Sequence, residues 1–522
     1  MNHLRSALLV VCGGMWLGGC APAIDKSDGS GSTSSNTPSE TSTPTVQITP
    51  INGQVIDPTL TGSSLHLQIA APEGTECTLQ VELWTSAGLA WPLSSHTLTN
   101  GQSATVEWDG MLGAVAAAPQ RAEIAALVDC GVEGRGLSTM PVAVVRLAPE
   151  TIDFDAGTGT VPLSFHKSDL ATRTQVPIDG PAYARKSGGL VDTAIELPPW
   201  SHPAIPPWAA GAPPDTVDRN LPIAAVVGSP LTIETTPSAV DGLGAALVPE
   251  GVRVVLTSPI EGQWTGTVTG TIEPVAETAG TELRTLRWSW AACMDDGDGC
   301  TPTPVPGERQ TLHRIYRMIG ASGLRDGSAE GYASDRPFIA TLALTAEAVE
   351  GAPDAGAVMT GLRDTLYTDP YVIYDPGVAA YSEFEGPYIT WDAITSQLSA
   401  WLDRDAGLRL YCHSMSCLLS TLGNSWGADA QQLVLGVNFR TNQTRAAGDD
   451  DWLRWSFNSH SVATIDDGAQ IWDASVDLDG DSDPANTPVS AVPVDGMPID
   501  EYLYRLSGDD IGIVNDGKCW VE

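Results

Sequence analysis

The sequence predicts a multidomain chain, two β-sandwich-like regions followed by an α+β domain, and three observations predict it. Past residue 44 about 475 residues remain, too many for one hydrophobic core and enough for about three domains. From residue 45 to about 310, short runs alternate apolar and polar residues between turn residues, the period of half-buried strands. Beyond about 310 the apolar spacing becomes helical, with strand-like runs interleaved. The expected divisions are 1–19, 20–44, 45–148, 149–308 and 309–522.

The first two segments concern targeting. Arg5 supplies a positive charge, Ala7 to Trp16 form a short apolar stretch, and Leu17-Gly18-Gly19-Cys20 follows. An apolar stretch this short reads as a signal peptide rather than a spanning helix. Its L-G-G-C ending resembles the lipobox of bacterial lipoproteins, which implies lipidation of Cys20 and a membrane partner reached through a lipid anchor. Ala21 rather than an aspartate follows that cysteine, which by the same resemblance implies the outer membrane. The Ser, Thr, Gly and Pro of residues 20–44 predict a disordered tether. A net charge of -38 argues against a nucleic-acid partner, because phosphate binding needs clusters of Lys and Arg.

In the first β region, Leu65 to Ile69, Leu79 to Trp84 and Ala104 to Trp108 alternate as a β-sandwich requires. The stretch ATVEWDG, Ala104 to Gly110, resembles the Trp-Asp-Gly turn of immunoglobulin-like modules in flagellar hook-capping proteins, which implies an immunoglobulin-like fold here. Cys77 and Cys130 lie on two such runs and are expected to pair in an oxidising compartment. The second β region shows the same alternation at Leu231 to Glu234, Val252 to Leu256, Trp264 to Ile272 and Leu283 to Trp290. The Pro-rich insert from Pro198 to Pro214 reads as an exposed loop or a boundary between modules. Cys293 and Cys300 bracket an acidic loop and most simply close it as a disulfide. Neither β region gathers the residue types of a catalytic site, so both read as spacers or binding modules.

In the third region Asp335 before Pro337 marks a helix start, with Phe338 to Val349 as its apolar body. Trp391, Ile394, Leu398, Trp401 and Leu402 fall at helical spacing, with Thr390 as N-cap and Gly407 past the end. From Cys412 onward, Met415, Leu418, Leu419, Leu422 and Trp426 mark one face of a further helix, so Cys412 lies in its first turn and Cys417 inside it. Helical residues five apart are rotated by roughly 140° and lie roughly 8–9 Å apart. A disulfide needs its Cα atoms within about 7 Å, so Cys412 and Cys417 should not pair. Nor do they share a face for one metal ion.

A cysteine that opens a helix meets unpaired N–H groups and the macrodipole, which stabilise a thiolate. The alternative role is that of a small buried hydrophobe. His460 is the candidate base. It opens the run HSVATI, followed by Asp466-Asp467-Gly468 and AQIWDASV, and an Asp467-Gly468 turn makes these two runs a hairpin. In that register His460 faces Ser475 and lies diagonally from Asp473 on one face. Cys412, His460 and Asp473 then have the order of nucleophile, base and orienting carboxylate.

These residues resemble the transglutaminase-like cysteine enzymes over about residues 310 to 490. In that family the nucleophilic Cys begins a helix, Ala or Ser follows four positions on, and Gly ends the helix fifteen positions on. A His-bearing strand and a strand ending in Trp-x-x-x-Asp or Tyr-Asp complete the site. Cys412, Ser416 and Gly427 hold those spacings, and His460 and Ile471-Trp472-Asp473-Ala474 follow in order. The resemblance implies acyl transfer on protein or peptide amides, by hydrolysis or crosslinking through a thioester, with no cofactor required. The sequence departs from the family at Tyr411, Gln431 and Ser461-Val462, and a binding-only form of the fold stands as the alternative. A second enzyme reading takes LRLYCHSMSC as the nucleophile elbow of an α/β-hydrolase with Ser414 as nucleophile, although Cys412 and Ser416 occupy the usual glycine positions.

Two further motifs complete the reading. Asp477, Asp479, Asp481 and Asp483 alternate in DLDGDSD and could wrap Ca2+ or form a solvated acidic loop; the run matches no full EF-hand. Without Cys12 and Cys20, seven cysteines remain, an odd number. With Cys77–Cys130 and Cys293–Cys300 paired, Cys519 is expected to hold the C-terminal tail to Cys417, leaving Cys412 free.

Overall fold

The computed structural model describes residues 46–515, less 166–175, 185–218, 322–336, 377–400, 402–407 and several shorter segments. The targeting residues including Cys20, the Pro-rich insert, Asp335, most of the Trp391 helical run and Cys519 therefore lie outside the described residues. Pro44–Glu522 forms one compact unit, built largely of strands. Among the described residues no helix is long and apolar enough to cross a membrane.

The first region is two packed sheets. Gln47–Pro50, Leu65–Ala70 and Ser103–Trp108 make a three-stranded sheet, and Val55–Ile56, Arg135–Val144, Gln120–Asp129, Glu76–Thr85 and Ala90–Thr99 make a five-stranded one. The predicted alternation is the reason they pack. Leu65, Leu67 and Ile69 point inward against Leu79, Val81, Leu83, Val106 and Trp108, while the intervening residues face out. ATVEWDG ends its strand in a turn held by side chains: Asp109 Oδ1 accepts the Met111 amide at 2.9 Å, and Trp108 Nε1 donates to the Met111 carbonyl at 3.0 Å. Cys77 and Cys130 are bonded.

The second region has a five-stranded and a seven-stranded sheet around a Trp-rich core, in which Trp264 meets Trp290 edge to face at 5.6 Å. Cys293 and Cys300 are bonded. The long strand Gly280–Met294 pairs with Arg309–Met318, so the latter strand belongs to this sheet although sequence placed residue 309 at the start of the next region. Burial alternates along this strand at Arg309, Thr311, His313 and Ile315, so its inward face joins the β core although three of those four residues are polar, which hides the strand from an apolar-period reading. A buried polar joint links the two β regions. Asp57 accepts the amides of Thr59 and Leu147, while Arg309 donates to the Thr59 hydroxyl at 2.8 Å and the Leu147 carbonyl at 3.1 Å.

The third region carries another seven-stranded sheet, with Gln470–Asp479, His460–Ile465 and Gln431–Leu435 adjacent at its centre. The helices Ala355–Thr368, Cys412–Ser425 and Ile499–Leu506 pack on these strands. Met415, Leu418, Leu419, Leu422 and Trp426 are all buried, as their spacing predicts. Of the Phe338–Val349 run, Phe338 lies outside the described residues, Ile339–Thr345 is helical, and 346–349 is turn. A further helix, Ala355–Thr368, carries its signals in the sequence. Asp354 caps it by accepting the Ala357 amide at 2.9 Å, and Val358, Met359, Leu362 and Leu366 bury one stripe.

The Cys412–Ser425 helix ends in a Schellman turn: Gly427 donates to the Asn424 carbonyl and Ala428 to the Gly423 carbonyl. Gly427 has φ +81°, and a Cβ there would lie 2.3 Å from the Gly320 carbonyl oxygen. Gly427→Ala therefore meets both a left-handed backbone and a rigid neighbour. It should destabilise the fold by roughly 1–3 kcal/mol. Denaturant unfolding followed by tryptophan fluorescence checks this, and an unchanged midpoint would contradict it.

Candidate functional site

The site assembles where the Cys412–Ser425 helix meets the central strands. Leu408–Leu410 runs parallel to Val372–Tyr374 and leads through an extended Tyr411 into the helix. Tyr411 stands at the N-cap without a side-chain capping bond to the helix amides, and the Met415 amide donates to the Tyr411 carbonyl. Cys412 thus opens the helix as the sequence predicts. Its thiol is buried and forms no disulfide, and Sγ donates to the carbonyl oxygen of Ser459, the residue before His460, at 4.0 Å.

The two central strands pair in the predicted register, Ala463 with Trp472 and Thr464 with Ile471. Ile465–Gln470 is the last pair among the described residues, and Asp466 and Asp467 of the expected turn lie outside them. The register has the consequence that matters: His460 Nε2 is 2.8 Å from Asp473 Oδ2, with both side chains fully buried. Nδ1 makes no hydrogen bond meeting strict geometry, and Cys412 is the other group that acts on the ring. The Phe457 ring stacks on the imidazole at 4.9 Å.

Asp473 is more fully held than the sequence suggests. Oδ1 accepts the Ser475 amide at 2.7 Å, Oδ2 also accepts the Tyr502 hydroxyl at 2.8 Å, and its backbone carbonyl accepts Arg363 Nε at 3.0 Å. Burial alone would raise the Asp473 carboxyl, but His460 and these hydrogen bonds hold it below the usual value. Burial alone would lower His460. Its attraction to Asp473 and Cys412 overrides this and pushes it up to about 10. The Tyr374 hydroxyl is buried beside the thiol, and burial followed by the charges of Cys412 and Asp473 pushes it well above 10.

The other candidates are placed elsewhere. His413 Nδ1 is 2.8 Å from the Ser461 hydroxyl, and burial lowers its ring to about 4. Ser414 sits inside the first helical turn and is engaged by the Tyr411 hydroxyl, so it does not crown an elbow. Cys417 is disulfide-bonded, to a cysteine outside the described residues.

The Ca2+ reading of the acidic run is corrected. Asp477 is buried between two guanidiniums, bonded to Arg363 Nη2 and, at 2.9 Å, to Arg445 Nη2. Asp479 and Asp481 accept backbone amides, the latter that of Asp483, and among the described residues no group of three or more ligating side chains converges. Asp477 and Asp479, two apart on the strand, share a face, but the two guanidiniums already take the Asp477 charge, and Asp481 and Asp483 lie past the strand's end.

Sequence reasoning missed Tyr374, Tyr502 and Arg363. Tyr502 and Leu506 are four apart and form the buried stripe of the Ile499–Leu506 helix, a legible signal. Arg363 shows no such signal, since only the fold reveals the charge that it meets.

No protein-family profile and no curated protein matches the chain. Among solved structures, a red sea bream transglutaminase aligns at 10% identity and TM-score 0.15, covering 52% of this chain and 31% of that one. The Salmonella enterica SafA pilin with its SafB chaperone aligns at 8% identity and TM-score 0.18, covering 52% and 95%. A Listeria innocua beta-glucosidase aligns at 16% identity and TM-score 0.13, and the chain spans 16% of its length. At these scores none assigns a fold or an activity.

The His460–Asp473 pair makes a pH prediction with a definite sign. A histidine raised from 6.5 to about 10 contributes stability that is complete below 6.5 and lost as pH rises through about 10. The lowered Asp473 contributes stability above its ordinary 3.8 that is lost as pH falls. His460 ring resonances should therefore titrate near 10 in the wild type and well below that in Asp473→Asn. A wild-type midpoint near 6.5 in an NMR titration would contradict the pairing.

Proposed function

We propose that the third region is a transglutaminase-like thiol acyltransferase or hydrolase acting on protein or peptide amides. The observation that carries this reading is the 2.8 Å His460–Asp473 pair, buried beside the free thiol that opens a helix. Cys412 sulfur, its proton passed to His460, attacks the amide carbonyl carbon. The tetrahedral adduct collapses as the imidazolium gives its proton to the leaving nitrogen, releasing ammonia or an amine and leaving a thioester. Water or a second amine, deprotonated by His460, attacks the thioester and returns the thiol. Asp473 keeps Nε2 protonated, so that Nδ1 is the nitrogen that exchanges protons with sulfur. The uncapped first-turn amides and the Tyr374 hydroxyl are the donors available to the developing oxyanion.

In the same reading the chain is an envelope lipoprotein, held at the outer membrane through Cys20, with the β regions as spacers or binding modules. A binding-only role is the second reading. It is favoured by the burial of the pair, since His460 is 0% and Cys412 8% exposed.

Ammonia release from a glutamine-containing peptide, with and without an added primary amine, tests the proposal. Cys412→Ala should abolish turnover, and His460→Ala should lower it by about 10²–10⁴-fold. Ser414→Ala should retain it. Turnover that survives in Cys412→Ala but is lost in Ser414→Ala would transfer the site to serine chemistry.

A further inference from the structure

We propose that Tyr502 is a positioning residue for the Cys412–His460–Asp473 site, fixing the Asp473 carboxylate through its phenolic hydrogen bond. The proposal rests on the thiol-chemistry reading above and adds a residue from a different element to it.

The geometry is specific. Tyr502 is fully buried, and its hydroxyl donates to Asp473 Oδ2 at 2.8 Å, the same oxygen that takes His460 Nε2. With the Ser475 amide on Oδ1, the carboxylate is held by donors from its own strand, the neighbouring strand and the Ile499–Leu506 helix. Two donors from different elements on one oxygen fix both the plane of the carboxylate and the direction in which it presents charge to the imidazole.

That helix is itself anchored near its C-terminus. Asn442 donates its amide to the Leu506 carbonyl at 2.8 Å and its side-chain nitrogen to the Arg505 carbonyl at 3.0 Å. Arg505 Nη1 reaches the Asp479 carbonyl at 2.7 Å, farther along the Asp473 strand. Tyr502 is therefore set against Asp473 by restraints outside the site.

The charged and titratable groups around Asp473 are His460 on the next strand, Cys412 at the helix start, Tyr374 on the upstream strand, Tyr502, and Arg363 on its backbone carbonyl. Of these, His460 and Tyr502 hydrogen-bond the carboxylate itself. Tyr502 stays protonated through the working range, because burial and then the adjoining carboxylate push it well above 10. Losing its bond lets Asp473 take a proton at higher pH, and the imidazolium loses its partner there.

The test is the rate of Cys412 alkylation by iodoacetamide against pH on the full chain, read by peptide mass mapping, which needs no substrate. Tyr502→Phe should move the acid limb of this profile up by about one pH unit, the scale of one charge-assisted hydrogen bond. Incorporating 3-fluorotyrosine at 502, a better donor of the same shape, should move it down and keeps the test open if the Phe variant folds poorly. An acid limb unmoved in both variants overturns the role of Tyr502. Failure of the underlying reading looks different: the wild-type profile would coincide with that of His460→Ala, and the Tyr502 proposal would fall with it.

Discussion

A fully buried carboxylate is the constraint on which the third region depends. Asp473 is 1% exposed, and an isolated charge at that depth would take up a proton instead. It stays ionised because His460, Tyr502 and the Ser475 amide converge on its two oxygens. Each of those donors arrives on an element whose position is set by apolar packing. The strand register brings His460, the buried Tyr502–Leu506 stripe brings the phenol, and the Cys412–Ser425 helix lies across both central strands. Breaking a buried pair of this kind by removing one partner costs roughly 3–5 kcal/mol, so the site and the core stand together.

A second buried charge cluster lies further along the same strand. Arg363, Arg445 and Asp477 form an ion-paired row, with the Arg363 guanidinium 4.4 Å over the Tyr367 ring and its Nε on the Asp473 carbonyl. The Ala355–Thr368 helix is thereby tied to the backbone of the site rather than to its reacting atoms. In the β regions the corresponding device is the Asp57–Arg309 joint, where burial raises Asp57 against the hydrogen bonds and the Arg309 charge that lower it. Polar groups in both places are satisfied across elements, which fixes how those elements meet.

How much of this was legible follows from which interactions are local. Strand alternation at Leu65 to Ile69 and Leu79 to Trp84, the disulfides at Cys77–Cys130 and Cys293–Cys300, and the helical face from Cys412 to Trp426 depend on near neighbours in sequence or on simple parity. The His460–Asp473 approach was legible because a hairpin register links two residues by arithmetic. Tyr374 and Arg363 were not, since each meets its partner through crossovers that no period encodes. The acidic run misled for the opposite reason. Alternating aspartates suggest a loop around an ion, but Gln470–Asp479 is a strand to its end, and the buried Arg363 and the half-buried Arg445, both far away in sequence, take the Asp477 charge.

In the proposed function Cys412 carries the acyl group. Incubating the protein with a glutamine-containing peptide, quenching in acid and measuring intact mass tests it directly. The expected result is an adduct equal to the peptide less ammonia, mapped to Cys412 and removed by hydroxylamine as a thioester is. An adduct that persists in Cys412→Ala, or none at all while peptide is turned over, would contradict it.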